Sequence, residues 1–383
     1  MATLTLASKA QGSKTIISAF IGGRLDKEIF YDIDGDVTVS DAGFGNGATV
    51  AFLPYAMRHG LHLRIEDPVD ADLLEKLDEA QDAWSRLHPT VFRRVDIHAE
   101  NPRPTALAMD RSAVMAFSGG LDASYALHAH KRRLIGRRAL DVKAGVLIHG
   151  FDLPLHQPDW FSPAVRRASA ILANYDIPLV TVRTNWRLLD VPWEQSHIFG
   201  IASVLHQFKG RVSHGVIAAD SAYDGDDLKW GSNSVTNQMM SGSSFPISFT
   251  GAGQSRTEKA GALVGEQAIL NSLRVCWERP ESLGNCGVCE KCIRTKLNFM
   301  AHGITDVPSL GAEPTPAQIR DIRITSQALL SLYVELQAHS WTDQPTIKRT
   351  LSQLVARGTK GPSKLGKLFR KYRRSIEKRL PFF

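Results

Sequence analysis

The apolar residues of this chain follow two rhythms. Between residues 112 and 219, short unbroken apolar runs at 113–117, 142–149, 179–184 and 214–219 suit buried strands. Stretches with apolar residues every three or four positions, at 123–130, 163–174 and 194–208, suit helices. This alternation predicts an α/β fold: a doubly wound parallel sheet with helices on both faces and right-handed crossovers. In such a sheet, ligands bind beyond the carboxyl ends of the strands, where the strand order switches.

The first 105 residues read as an N-terminal α/β domain of their own. Residues 48–57 have helical spacing, and 61–65 and 92–97 read as strands. In 70–87, Leu73, Leu74, Leu77, Ala80 and Trp84 form one apolar helix stripe. Asn101 to Pro104 reads as a linker. The glycines of 43–47 read as a flexible turn before a helix, with an anion-binding loop as the alternative. After this come an expected nucleotide-binding domain at 106–270, a cysteine module at 271–305, a helical region at 306–357 and a basic tail at 358–383.

The formal net charge of +7 is unevenly placed. From Lys348 onward the chain has twelve Lys or Arg and one acid, Glu377, a net +11 that leaves −4 for the rest. The body is therefore mildly acidic, which argues against a nucleic-acid groove across the main fold. No apolar run approaches a membrane span, and residues 1–14 lack a signal-peptide core, so a cytoplasmic protein is expected.

The most informative stretch follows the first strand of the alternation. Ser118, Gly119 and Gly120 form a tight turn, and Leu121-Asp122-Ala123-Ser124 opens a helix. Glycines let backbone N–H groups approach an anion closely, and a helix start adds partial positive charge. Asp122 suits Mg²⁺ or phosphate work, and a plain N-cap role is compatible with that. Downstream, Ser255 reads as an N-cap with Glu258 in the capping-box position, which aims Arg256 and Lys259 at the same region. Asp220, Asp224, Asp226 and Asp227 read as Mg²⁺ ligands or as a solvated acidic turn. Trp230 to Ser234, with Asn237, are candidates to line an acceptor pocket.

The string Ser-Gly-Gly-Leu-Asp resembles the fingerprint of the PP-loop (N-type) ATP pyrophosphatase superfamily, which cleaves ATP between the α and β phosphates to form an adenylate. That pattern places Ser or Thr directly after the Asp; here Ala123 stands there and Ser124 follows. The resemblance implies phosphate and Mg²⁺ contacts from Ser118, Gly119, Gly120, Leu121, Asp122 and Ser124. It implies charge neutralisation on the departing pyrophosphate by Lys259 and Arg256, and adenine contacts near His149 and Gly150.

All four cysteines, Cys276, Cys286, Cys289 and Cys292, lie in one short span. Four thiolates so close together suit tetrahedral Zn²⁺, with an iron–sulfur cluster as the alternative. Lys291 and Arg294 are placed to offset the thiolate charge. Turn and cysteine cluster together resemble the 7-cyano-7-deazaguanine synthase-like proteins over residues 110 to 302. Departures at His149-Gly150-Phe151 and in the aspartate loop weaken the match to a deazapurine substrate.

The expected activity is an ATP-dependent, AMP-forming ligase that adenylates a carboxylate or carbonyl oxygen and passes the activated group to ammonia or an amine. An RNA-modifying PP-loop enzyme and a non-enzymatic nucleotide-binding module are the alternatives. Beyond ATP, Mg²⁺ and Zn²⁺, the expected partners are a small-molecule or macromolecular acceptor and a second copy in a homodimer. In the tail, Leu365, Leu368, Phe369, Tyr372 and Ile376 fall on one helix stripe among basic residues, after a hinge at Gly358, Gly361 and Pro362. That pattern suits an anionic membrane, RNA or the protein body.

Overall fold

The chain opens with three strands that no motif announces: β1 (Thr3–Gln11), β2 (Lys14–Ile21) and β3 (Arg24–Asp34). They pair antiparallel, and Leu4, Leu6, Ile17, Ala19, Ile29, Tyr31 and Ile33 turn to the interior with the period of two that a covered sheet face requires. The computed structural model describes residues 2–35, 41–276 and 284–359. Next come α1 (Phe44–His59), β4 (His62–Ile65), β5 (Val69–Asp70), α2 (Ala71–Leu87), β6 (Ile97–Ala99) and β7 (Pro102–Arg103). The alternation that follows gives β8 (Ser112–Ala116), α3 (Leu121–Lys131), β9 (Asp141–His149), α4 (Pro158–Ala173), β10 (Leu179–Thr184), α5 (Trp193–His206) and β11 (His214–Ala218). Helix α4 starts ahead of the expected residue 163 because Pro158 sits in its first turn, where its missing N–H costs nothing. Strand β12 (Ile247–Thr250), α6 (Arg256–Ala262), α7 (Gln267–Ser272) and α8 (Glu290–Met300) complete this part.

Ten strands form one sheet in the order β12-β11-β8-β9-β10-β3-β2-β1-β4-β6. The block from β12 to β10 is parallel throughout. Numbered among themselves, its strands run 5-4-1-2-3, the doubly wound order, so the switch in direction lies between β8 and β11. One face is covered by α1, α2 and α5, the other by α3, α4, α6 and α7. Val114 faces the first layer while Ala113 and Met115 face the second, which is why these strands are apolar throughout.

The separate domain expected over 1–105 is instead an extension of this sheet. Strand β3 pairs antiparallel with β10, and residues Met1–Ala312 form one compact unit. Left alone, β10 would be an open edge. Buried hydrogen bonds fasten the seam. Tyr31 Oη meets Ser203 Oγ at 2.7 Å, Trp186 Nε1 donates to the Ala51 carbonyl at 3.1 Å, and Trp84 Nε1 donates to the Gln195 carbonyl at 2.7 Å. Asp70 pairs with Lys209 in the interior and also accepts from Asn46 and Ser244.

Two further expectations change for physical reasons. The segment 92–97 becomes a strand only at its end, because Arg93 N and Val95 N are satisfied by the Met57 carbonyl and Gln81 Oε1 rather than by a ladder. The presumed linker at Asn101–Pro104 is tied down: β7 pairs with β5, and Arg103 donates to the Ala42 carbonyl at 2.6 Å.

The glycines of 43–47 are neither a flexible turn nor an anion loop. Helix α1 begins at Phe44, and these residues sit where other backbone passes. A Cβ on Gly43 would lie 1.8 Å from the His206 carbonyl oxygen, and one on Gly45 2.3 Å from that of Pro68.

The second unit, Glu313–Phe383, is helical where described: α9 (Pro316–Asp321), α10 (Gln327–Ala338) and α11 (Pro345–Thr359). Thr315 caps α9 and Ser326 caps α10. Ile319, Tyr333, Leu336, Leu351 and Leu354 are among its buried residues. Helix α11 runs through Gly358, so the expected hinge does not begin there. The basic stripe of the tail lies outside the described residues. No helix among the described residues is long and apolar enough to cross a membrane.

Candidate functional site at the switch in strand order

Strand β8 ends at Ala116, and the chain turns through Ser118, Gly119 and Gly120 into α3. Gly119 has φ +73, a conformation costing an L-residue about 1–2 kcal/mol. Its carbonyl accepts from Arg274 N at 2.9 Å, and Gly120 N donates to Ser118 Oγ at 3.3 Å. Gly120 holds the N-cap position, so Asp122 lies in the first turn and does not cap. The turn opens on a cavity of about 230 Å³ between the carboxyl ends of β8, β9 and β11. Ser118, Gly120, Leu121 and Asp122 line it.

The capping box expected at Ser255 and Glu258 is formed, and it sends Arg256 and Lys259 inward, Arg256 onto the cavity lining. Arg256 Nη1 lies 2.5 Å from Asp122 Oδ2, and Lys259 Nζ lies 3.2 Å from Asp122 Oδ1 and 2.7 Å from the Ala219 carbonyl oxygen. Burial alone would raise the Asp122 carboxyl, but the charges of Arg256 and Lys259 outweigh it and hold the group below its ordinary value. The two cations are thus already matched to a carboxylate.

Of the aspartate loop, only Asp220 lines the cavity. Burial raises its carboxyl; Oδ2 accepts from Trp230 Nε1 at 2.7 Å, and Oδ1 has no hydrogen-bond partner among the described residues. Asp226 is used by Ser234, and Asp227 by the Lys229 amide.

Other expected site residues lie elsewhere. Ser124 is fully buried within α3, its hydroxyl unpartnered among the described residues and off the cavity. His149 turns from the cavity, with Nε2 on the Pro154 carbonyl oxygen at 3.0 Å and its ring stacked on Phe161 at 4.3 Å. Gly150, at φ +115, is needed because a Cβ would lie 1.9 Å from the Thr184 carbonyl oxygen. The wall at this strand end is instead Ile148, Phe151 and Asp152, with Trp193 from α5. The polar segment at 231–237 lies off the cavity and bonds largely to itself: Asn233 Oδ1 accepts from Val235 N and Thr236 N, and Asn237 Nδ2 donates to Ser232 Oγ. Trp230 reaches the cavity only through Asp220.

The four cysteines converge so that their sulfurs all lie within 4.8 Å of one another, a group able to hold a metal ion such as zinc. Cys276 and Cys289 sulfurs are 3.8 Å apart, and those of Cys286 and Cys292 4.0 Å. Four sulfurs about 2.3 Å from a tetrahedral Zn²⁺ stand about 3.8 Å apart, so the donor set fits that ion. Gly287, at φ +72, makes the knuckle, where Cys289 N points at Cys286 Sγ at 3.3 Å. Asn285 staples it: Oδ1 accepts from Val275 N and Cys276 N, and Nδ2 donates to the Leu273 and Ser309 carbonyls. Arg294 Nε donates to Glu290 Oε1 at 2.7 Å.

Of this cysteine group, Cys276 lines the cavity. No protein family, curated protein or solved structure matches the chain. Arg274, Cys276 and Lys291 line the same cavity as the glycine turn. Arg274 and Lys291 are the members that sequence reasoning passed over or assigned elsewhere. Their one sequence signal is adjacency to the cysteines: Arg274 lies two residues before Cys276, and Lys291 stands between Cys289 and Cys292.

Proposed function

We propose that this protein is an ATP-dependent, AMP-forming ligase with a PP-loop-like nucleotide site and a structural zinc centre. The observation that carries the reading is the glycine turn at the switch in strand order, opening on a cavity lined by the Asp122 carboxylate and the buried Arg256, with the buried Lys259 paired to the same carboxylate. Such a turn binds phosphate through its amides and the helix start behind it. A buried Asp beside fixed cations suits a polyphosphate, whose charge competes for Arg256 and Lys259 while a divalent cation competes for Asp122.

In the proposed reaction, a carboxylate oxygen of the acceptor attacks the α phosphorus. The bond from that phosphorus to the bridging oxygen of the β phosphate breaks, and pyrophosphate leaves with the electron pair. Ammonia or an amine then attacks the acyl carbon, loses a proton, and expels AMP. No side-chain nucleophile is required; Gly119, Gly120, Arg256 and Lys259 supply positioning and charge. Magnesium, when bound, would screen the phosphate oxygens, and Asp122 and Asp220 are lining carboxylates that would hold it. The Cys276, Cys286, Cys289 and Cys292 set would hold zinc with no position left for chemistry.

The test is product identity. With ATP, Mg²⁺ and a panel of carboxylic acids plus ammonia, phosphorus NMR should show AMP and pyrophosphate. Asp122→Asn should cut turnover at least 100-fold and lower the melting temperature as well, because it leaves the buried Arg256 and Lys259 charges uncompensated. Accumulation of ADP and phosphate would falsify the ligase reading.

A further inference from the structure

Arg256 and Lys259 share the Asp122 carboxylate, and Lys259 also donates to the Ala219 carbonyl. Two other cations in the same cavity are not matched in this way. Arg274 Nη2 is buried with no hydrogen-bond partner among the described residues. The Lys291 ammonium acts on Asp122 and Asp152 only through space, neither carboxylate being within ion-pair reach. A buried guanidinium edge left unpaired is costly unless an anion completes it, and the half-buried Lys291 ammonium, on the same cavity lining, has no carboxylate within reach.

Both are also fixed in place. The Arg274 amide is bonded to the Gly119 carbonyl at 2.9 Å, so the guanidinium starts from a backbone anchored to the phosphate turn. The next residues, Val275 and Cys276, are held by Asn285 at 2.8 and 3.1 Å. Lys291 lies in the first turn of α8, between two of the clustered cysteines. The cysteine group therefore presents two cations to the turn.

We infer that Arg274 and Lys291 form a second anion subsite that holds the pyrophosphate end of the nucleotide, next to the phosphate held by the glycine turn. The inference rests on the adenylating reading above. Contiguity with Gly119 favours the same phosphate chain over a remote carboxylate of the acceptor. Arg256 and Lys259 then serve mainly to keep Asp122 charged and placed, and the newly named pair takes the larger share of the leaving group.

Isothermal titration of the full, metal-loaded chain with pyrophosphate, AMP and ATP plus Mg²⁺ tests this. Arg274→Gln and Lys291→Gln should each weaken pyrophosphate and ATP at least 10-fold and AMP less than 2-fold, with zinc content and melting temperature retained. Arg274→Lys should recover part of the loss. On the unaltered protein, pyrophosphate should slow acetylation of Lys291, read by mass spectrometry, which keeps the test valid if a variant fails to fold. Unchanged pyrophosphate affinity in both Gln variants, or unprotected Lys291, overturns the subsite. Wild-type binding of pyrophosphate with no binding of ATP or AMP would uphold the subsite and sink the adenylating reading instead.

Discussion

Asp122 shows how single residues here are set by their neighbours: burial would neutralise it, and two cations keep it charged. Burial dominates at two histidines. It pulls His206 and His130 down to about 4, because each is enclosed with its ring in neutral hydrogen bonds, His206 to the Met240 carbonyl and His130 to Thr250 and the Leu140 amide. Folded, both rings stay neutral to about pH 4; unfolded, they take a proton near about pH 6.5. The unfolded chain binds more protons across that window, so stability falls as pH drops through it, by roughly 3 kcal/mol for each ring. Urea unfolding at pH 7 and pH 4.5 should show this loss, and equal stability at the two would sink the assignment. At this scale the capping box and Asp122 were legible, because their partners are close in sequence or imposed by the turn. Arg274 was not, since what aims it is a staple from Asn285 and a bond to Gly119.

Among the elements, the parallel strands announced themselves because both their faces are buried, leaving unbroken apolar runs. β1 to β3 carry the alternation of a sheet, yet nothing in Leu4, Leu6 or Ile17 says which sheet. The glycines of 43–47 are illegible for a related reason: Gly43 answers to the carbonyl of His206, far away in the chain, and Gly45 to that of Pro68. Gly43→Ala should therefore destabilise by about 3 kcal/mol. Gly265→Ala, which meets nothing within 4 Å, should stay within about 0.5 kcal/mol in the same thermal melts. The cysteine element makes its own prediction. Purified protein should hold one zinc per chain, and Cys289→Ser or chelation should lower the melting temperature and weaken pyrophosphate binding together. Metal analysis finding iron, or no metal, would remove the zinc assignment.

For the whole molecule, the expected boundary at residue 105 falls inside one sheet, whereas the contact pattern divides the chain after Ala312. A chain ending at 312 should keep its zinc and a single cooperative unfolding transition. A chain beginning at 106 should be insoluble when expressed alone, because it exposes the edge of β10 and the surface that covers Tyr31, Phe52 and Trp84. Co-expression with residues 1–105 should restore it; a soluble, monomeric 106–383 fragment would refute the shared-sheet account. Charge was legible only as a total, since the sequence places the positive excess in the tail but not the cations that matter in the cavity.

The seam between β3 and β10 also sets a clock. Phe30 N reaches Asn185 Oδ1 across a separation of 155 residues, so a chain emerging from the ribosome finishes β3 long before its partner exists. At about 5–20 residues per second, the outer strand of the meander waits roughly 8–30 s with its hydrogen-bonding edge bare. During that interval it is open to pairing with other nascent chains. Slowing translation between residues 35 and 184 should lengthen the wait and raise the insoluble fraction, whereas slowing it after β10 has emerged should not.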